Sequence, residues 1–230
     1  MKDFGIFVPS LGRPHSIERL RDTMASTCRG DTHLIVGLNE EDPRRGEYPP
    51  GIEYVVRPGI RGVVAWLNEL AVPRAGDFRF IGALGDDHVP KTVGWDLRMV
   101  GALGKTPFAF GNDLYPRTPG ELPTHIFTRS EVVRALGYLG VPRFRHMYVD
   151  AGWKRWGEAI GITYLDDVII EHLHYTVGKS PVDATYAASA PLMGPDEVAY
   201  RAYCADPDGL EADIGRIKAV LLWAHPPMTC

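Results

Sequence analysis

The residues with the clearest chemical capacity are Gly85-Asp86-Asp87-His88, which close the apolar run Phe78-Arg79-Phe80-Ile81-Gly82-Ala83-Leu84. Adjacent carboxylates repel each other unless a cation lies between them, and Mg²⁺ and Mn²⁺ favour oxygen ligands. The pattern therefore points to a divalent metal that holds a diphosphate. The other reading is a polar turn after a strand, because Asp caps and turns well. A run of this composition suits a buried strand, whose last residues project rigidly from the edge where open α/β sheets bind ligands.

The elements before it decide what else reaches that edge. Residues 4–8 read as a strand closed by Pro9-Ser10-Leu11-Gly12-Arg13-Pro14, and residues 16–27 as a helix with Ser16 at its N-cap. Residues 32–38 and 52–56 read as strands ending in Asn39-Glu40-Glu41-Asp42 and Arg57-Pro58-Gly59. Residues 60–72 form an amphipathic helix with Val63, Val64, Leu67 and Leu70 along one side. Strands alternating with helices predict a parallel sheet covered on both faces. Loops 9–13, 39–42 and 57–62 then share an edge with the acidic pair. There Asn39 or Glu40 suits a pyrimidine N–H, Arg13, Arg57 or Arg61 suits phosphate oxygens, and Pro9 and Ser10 line the first loop. Taken singly, each also reads as an ordinary surface residue.

Composition narrows the class. The 230 residues are 45% hydrophobic, enough for one core, and the net charge of −4 gives no global argument for nucleic acid or an anionic membrane. Cys28, Cys204 and Cys230 lack metal-ligand spacing, which fits a reducing compartment without a disulfide framework. The N-terminus reads as a strand rather than a signal peptide, and no run approaches a membrane span, so the cytoplasm is the expected location. Downstream, helices are expected over 94–103, 130–139, 151–159, 195–203 and 209–223. Strands are expected over 108–111, 162–165 and 168–173.

The order strand–Pro-Ser-x-Gly-Arg-Pro, strand–Asn-Glu-Glu-Asp, Arg-Pro-Gly-x-Arg-Gly and Gly-Asp-Asp-His resembles nucleotide-sugar glycosyltransferases of the GT-A fold. It is most similar to small family-two-like and bacteriophage-type members, over residues 4–180. The resemblance implies an α/β, Rossmann-like GT-A fold with a mixed, mostly parallel sheet flanked by helices. It divides the chain into a transferase core at 1–180, with a donor half at 1–90 and an acceptor half at 91–180, and a C-terminal helical extension at 181–230. It further implies Mn²⁺- or Mg²⁺-dependent transfer of a sugar from a nucleoside diphosphate, with a UDP-sugar as donor. The family pattern is acid-any-acid. Here the acids are adjacent with His88 in the third place, so Asp86 is set on the donor side and Asp87 and His88 on the metal.

Family members supply a late histidine and a following lysine near the diphosphate, which His174-Tyr175-Thr176-Val177-Gly178-Lys179 fits. His174 is then the third ligand, with His172, two residues earlier on the same strand face, as the alternative. Lys179 is expected at the diphosphate. Asp150 corresponds to the downstream acidic motif and is the candidate base for the acceptor hydroxyl; its other reading is an N-cap aspartate. Members that retain configuration need no such base, so the stereochemical outcome stays open.

For the acceptor, Arg134, Arg143, Arg145, His146, Lys154 and Arg155 interleave with Phe144, Tyr148, Trp153 and Trp156. Basic and aromatic residues together suit a nucleic-acid backbone with a stacked or extruded base. With the phage-type resemblance this gives a 5-hydroxymethylated pyrimidine in DNA, with Arg143, Arg145, Trp153 and Lys154 as contacts. Saccharide, lipid and small-molecule acceptors remain the alternatives, as does a non-catalytic nucleotide-binding module.

Overall fold

The structure, a computed structural model, describes residues 1–224; Cys230 lies outside the described residues, and Cys28 and Cys204 are free thiols. Strand β1 (Lys2–Ser10) runs through the middle of the sheet. Side chains on a strand alternate between faces, and here Phe4, Ile6 and Val8 enter one core while Phe7 enters the other. A strand buried on both faces must be apolar nearly throughout, as residues 4–8 are.

Helix α1 (Pro14–Thr27), strands β2 (Thr32–Asn39) and β3 (Glu53–Arg57), helix α2 (Val63–Ala71) and strand β4 (Phe78–Ala83) follow. β1 pairs in parallel with β2 and β4, and β2 with β3, so the carboxyl ends of all four lie along one edge. The chain continues through β5 (His88–Pro90), α3 (Trp95–Leu103), β6 (Phe108–Asn112), β7 (Ile126–Arg129), α4 (Ser130–Leu136), α5 (Val149–Ile160) and β8 (Ile162–His172). The eight-stranded order is β3-β2-β1-β4-β7-β6-β8-β5, with β7 antiparallel to β4 and β6, and β5 antiparallel to β8. Helices α6 (Ala184–Ser189), α7 (Met193–Ala205) and α8 (Ala212–Ala224) complete the described chain. No helix among the described residues is long and apolar enough to cross a membrane.

Helices α1 and α3 cover one face through Ile17, Leu20, Trp95 and Met99. Helices α2, α4, α5 and α8 cover the other through Trp66, Leu67, Val133, Trp153, Trp156 and Ile217. The C-terminal helices are tied in by polar groups as well. The fully buried Asp213 carboxylate accepts from the Tyr138 hydroxyl at 2.6 Å and the Tyr203 hydroxyl at 2.6 Å, and the Trp156 indole donates to Tyr203 at 2.8 Å.

The two strands expected over 162–165 and 168–173 are one. Against β6 the register jumps from Gly111–Leu165 to Asn112–Ile169, a bulge that lets Asp166 and Asp167 sit at exposed positions without ending the strand. β5 and β7 had no sequence signal, being three and four residues long and, for β5, ending in Pro90.

Close packing across the centre of the sheet sets a testable limit. A Cβ placed on Gly82 of β4 would lie 2.5 Å from the Phe127 ring and 2.7 Å from Ile6 Cδ1. Gly82→Ala should therefore cost about 1–3 kcal/mol through overpacking, read as a lower denaturation midpoint at unchanged m-value.

Candidate metal and donor site

β4 ends at Ala83, and the backbone turns through residues 85–88, where the His88 N–H donates to the Gly85 carbonyl at 3.1 Å. A Cβ on Gly85 would lie 2.6 Å from Asp87 Oδ1 and 2.9 Å from His88 Nδ1, so a larger residue there would displace both side chains. The chain then enters β5, where His88 stands directly opposite His172 of β8. Their rings stack, with centroids 4.3 Å apart and planes 11° apart. Two backbone bonds fix the end of β8: Leu173 N–H to the Asp87 carbonyl and His172 N–H to the Asp113 carbonyl, both 2.9 Å.

This register places Asp87 Oδ2 3.2 Å from His172 Nε2, and one ligand atom from each of Asp87, His88 and His172 lies within 4.8 Å of the others. Cis ligands at 2.0–2.1 Å from an octahedral ion stand about 3 Å apart, so the hydrogen-bonded Asp87–His172 pair has a separation that also suits a shared divalent ion. Oxygen and imidazole donors together suit Mn²⁺ and Mg²⁺. His172 Nδ1 is buried without a hydrogen-bond partner, so the polar contact of that ring is the one its Nε2 makes with Asp87. His88 Nδ1 accepts from the Gly85 N–H at 3.0 Å, so this lone pair is engaged and the His88 ring backs His172.

The two carboxyls have opposite environments. Asp86 is buried beneath β1, accepting from Ser10 Oγ at 2.7 Å and Arg13 Nη1 at 2.9 Å. Burial raises its pKa against the opposing charge of Arg13. Burial opposes ionisation of Asp87 most strongly, but the hydrogen bonds and charges of His172 and His88 together outweigh it and hold this carboxyl well below the ordinary range. Asp87 is thus the more readily ionised of the pair.

His174 lies outside that cluster. β8 stops at His172, and His174 instead caps a short 3₁₀ turn (Tyr175–Val177), its Nδ1 2.7 Å from Thr176 Oγ1. Burial pushes its imidazole down to about 4, aided by the neighbouring His172. The structure therefore sets His172, not His174, beside Asp87. Lys179 folds back to donate to the Leu114 carbonyl at 2.9 Å and pairs with Glu171 at 2.9 Å.

The donor-side candidates divide. Ser10 and Arg13 reach Asp86, while Pro9 stays within β1, paired with Gly37. Asn39 is not available to read a base, because its amide donates to the Ile60 carbonyl and accepts from the Trp66 indole, both at 2.7 Å. Arg57 pairs with Glu69 at 2.8 Å, away from the acidic pair. Glu40 and Arg61 are exposed on the loops at the shared edge.

On the acceptor side the expected stacking surface is turned inward. Trp153 is 3% exposed and donates to the Leu139 carbonyl at 2.8 Å; Phe144 and Trp156 join it in the core. Arg143 pairs with Asp206 at 2.6 Å and Lys154 leans toward Glu158 on the same helix at 3.9 Å. Arg145 is exposed, but its backbone is fixed on both sides: its carbonyl accepts from the Val64 N–H at 3.2 Å, and its N–H donates to Asp196 at 3.0 Å. Asp150 lies in the first turn of α5, and the N-cap is Tyr148. Burial raises the Asp150 carboxyl, with Arg117 and His172 close enough for their charges to oppose the rise.

Sequence reasoning missed Asp196, His125 and the residues of α6. Asp196, 1% exposed, accepts the backbone N–H groups of Arg145, His146 and Met147 at 2.7–3.0 Å and so shapes the loop entering α5. Burial lowers the His146 imidazole on that loop, with the charge of Asp196 and, to a lesser degree, of Asp87 opposing it. His125, fully buried, accepts from the Gly111 N–H at 3.0 Å and meets the His88 ring edge-on at 5.3 Å. A lone acidic residue in a helix and a lone histidine before a four-residue strand carry no pattern that could have marked them.

No family model matches this chain, and no curated protein does. Its fold does have solved counterparts. Glucosyl-3-phosphoglycerate synthase from Mycobacterium tuberculosis, in complex with Mn²⁺, UDP-glucose and phosphoglyceric acid, superposes with a TM-score of 0.59 at 14% identity, covering 90% of this chain and 81% of that one. TarS of S. aureus, residues 1–349 in complex with UDP, does so with a TM-score of 0.59 at 10% identity, covering 97% and 72%. The synthase bound to Mg²⁺ and UDP gives 0.58 at 13% identity, over 86% and 79%. The fold is therefore GT-A: a mixed, mostly parallel sheet with helices on both faces.

The Asp196 carboxylate pairs three consecutive amides of the loop entering α5. Asp196→Ala should lower stability by about 1–3 kcal/mol and speed hydrogen exchange at residues 145–147 more than in β1. Equal acceleration everywhere would show that Asp196 does not act on that loop.

Proposed function

We propose that this chain is a divalent-metal-dependent glycosyltransferase that moves a sugar from a UDP-sugar to a hydroxyl acceptor. The observation that carries this reading is the meeting of Asp87 and His172 at the carboxyl edge of a GT-A sheet, with oxygen and nitrogen donors 3.2 Å apart. The solved counterparts bind UDP or UDP-glucose, with Mn²⁺ or Mg²⁺ in two of the complexes, which supports the donor class and the metal.

In this reading Asp87 and His172 hold the metal, and His88 braces His172 by stacking on it. A divalent ion held there would supply Lewis-acid stabilisation of the charge that grows on the departing diphosphate. Asp86 serves by holding Ser10 and Arg13 to the β1 loop rather than by ligating. Glu40 and Arg61 flank the path to that edge as donor contacts, and Lys179 stands on the far side against Glu171. Asp150 takes the proton of the acceptor hydroxyl as that oxygen attacks the anomeric carbon and the bond to the diphosphate breaks. Its raised pKa makes it a stronger base than an exposed aspartate.

The acceptor is assigned only as a hydroxyl compound. The DNA reading drew on rings interleaved with basic residues, and three of those rings are in the core. A non-catalytic nucleotide-binding module would bind UDP-sugar without turning it over, so hydrolysis of the donor in the presence of Mn²⁺ separates the two.

The test is thermal stabilisation by UDP-sugars with and without Mn²⁺, because a ligand specific to the folded state raises the melting temperature. A shift that needs Mn²⁺ and disappears in Asp87→Ala is the expected result; no shift with any nucleotide sinks the proposal. In turnover, Asp150→Asn should lower kcat about 100-fold or more while leaving the metal-dependent shift in place. Undiminished kcat in that variant would remove Asp150 from the mechanism.

A further inference from the structure

The chain after β8 crosses the metal-facing edge. Thr185 Oγ1 donates to the Leu11 carbonyl at 3.1 Å, which brings the start of α6 against the β1 loop. Asp183 caps α6 by accepting from the Tyr186 N–H at 3.0 Å. The same carboxylate grips Arg13 with both oxygens, Nε at 2.6 Å and Nη2 at 2.7 Å. The third arm of that guanidinium reaches Asp86 at 2.9 Å. Arg13 lies over the Tyr186 ring, 4.2 Å from its centroid. The Tyr186 hydroxyl donates to Asp87 Oδ2 at 2.7 Å, the oxygen that faces His172.

A carboxylate oxygen has two lone-pair directions, and an aspartate head rotates in a broad well unless something fixes it. The Tyr186 hydroxyl occupies one direction on Oδ2 and leaves the other toward His172. A hydrogen bond to a charged acceptor is about twice as strong as a neutral one, so it can hold the head still. The Tyr186 ring is itself fixed, by the guanidinium on its face and by Asp183 at the head of its helix. Ligating carboxylates depend on such outer partners, whose loss weakens metal binding about 10–100-fold.

We infer that Tyr186 is a positioning residue of the metal site, orienting Asp87 toward His172, and that the Asp183–Arg13 ion pair clamps Tyr186 in place. The inference rests on the metal role given to Asp87 and His172 above. It makes the segment after β8 a working wall of the site rather than a helical appendage. It also gives Arg13 a different task from a phosphate contact, since three of its five N–H donors are committed to carboxylates inside the protein.

The experiment is a titration of the whole chain with Mn²⁺, free ion read by electron paramagnetic resonance, for the native protein, Tyr186→Phe and Asp183→Asn. Melting curves in EDTA accompany it. Native protein should bind Mn²⁺. Tyr186→Phe should bind 10- to 100-fold more weakly while its metal-free melting temperature moves by only a few degrees, about what one hydrogen bond accounts for. Asp183→Asn keeps an oxygen to cap α6 but loses the charged fork, and its affinity should fall several-fold. Unchanged Mn²⁺ affinity in Tyr186→Phe overturns the inference while leaving the metal site standing. Tighter binding overturns it as well, because the phenol would then be competing with the ion. Absence of Mn²⁺ binding by the native protein removes the metal site itself, and the inference with it.

Discussion

The site depends on one register. Placing His88 opposite His172 in the β5–β8 pair is what brings a carboxylate from the end of β4 to within 3.2 Å of an imidazole some 85 residues later. A one-residue slip in that pairing would turn His172 to the other face of the sheet, since side chains alternate along a strand. Several bonds resist the slip. The Leu173 and His172 amides are anchored to the Asp87 and Asp113 carbonyls, and the bulge at Gly111–Asn112 resets the other edge of β8 against β6. A short strand of three residues would be a weak anchor alone; held between the 85–88 turn and the bonds to β8, it is sufficient.

Electrostatics then separates two carboxyls that the sequence presents as equals. Adjacent acids cannot both be buried as anions without compensation. Asp86 is compensated by Arg13 and Ser10 inside the protein, on the β1 side. Asp87 is compensated from the β8 side by His172 and from α6 by Tyr186. The doublet therefore points its two heads to different neighbours: one ties the first loop to the sheet, and one faces the open edge. Here the division comes from what surrounds two consecutive residues.

Most of the fold was legible because it is local. The alternation of short apolar runs with amphipathic helices over the first 90 residues needs no long-range knowledge, and β1, β2, β3 and β4 lie where the pattern placed them. The acidic turn was legible for the same reason, as two charges at the end of a strand. What escaped was decided by distant pairing. His174 and His172 look alike two residues apart, and only the point at which β8 leaves the sheet distinguishes them. Trp153 and Phe144 look like a stacking surface beside their arginines until helical packing turns them inward and leaves the charges outside. Asn39 has the composition of a base-reading group, yet Trp66, 27 residues on, takes its oxygen.

The role of the C-terminal segment follows from the same distinction. As sequence, residues 181–230 contain helices without motifs, and an extension packed on a finished core is the natural description. In the structure that segment supplies Asp183 to Arg13, Tyr186 to Asp87, and Asp196 to the loop that leads into Asp150. Each contact ends on a residue belonging to a different early element: the β1 loop, the tip of β4, the entrance of α5. A core that still needed only covering would have received apolar side chains at these positions. Instead the segment delivers carboxylates and a phenol to three points around one edge, and these are groups that orient other side chains. The GT-A sheet sets where Asp87 and His172 stand, and the segment after β8 supplies the hydroxyl that holds the Asp87 head.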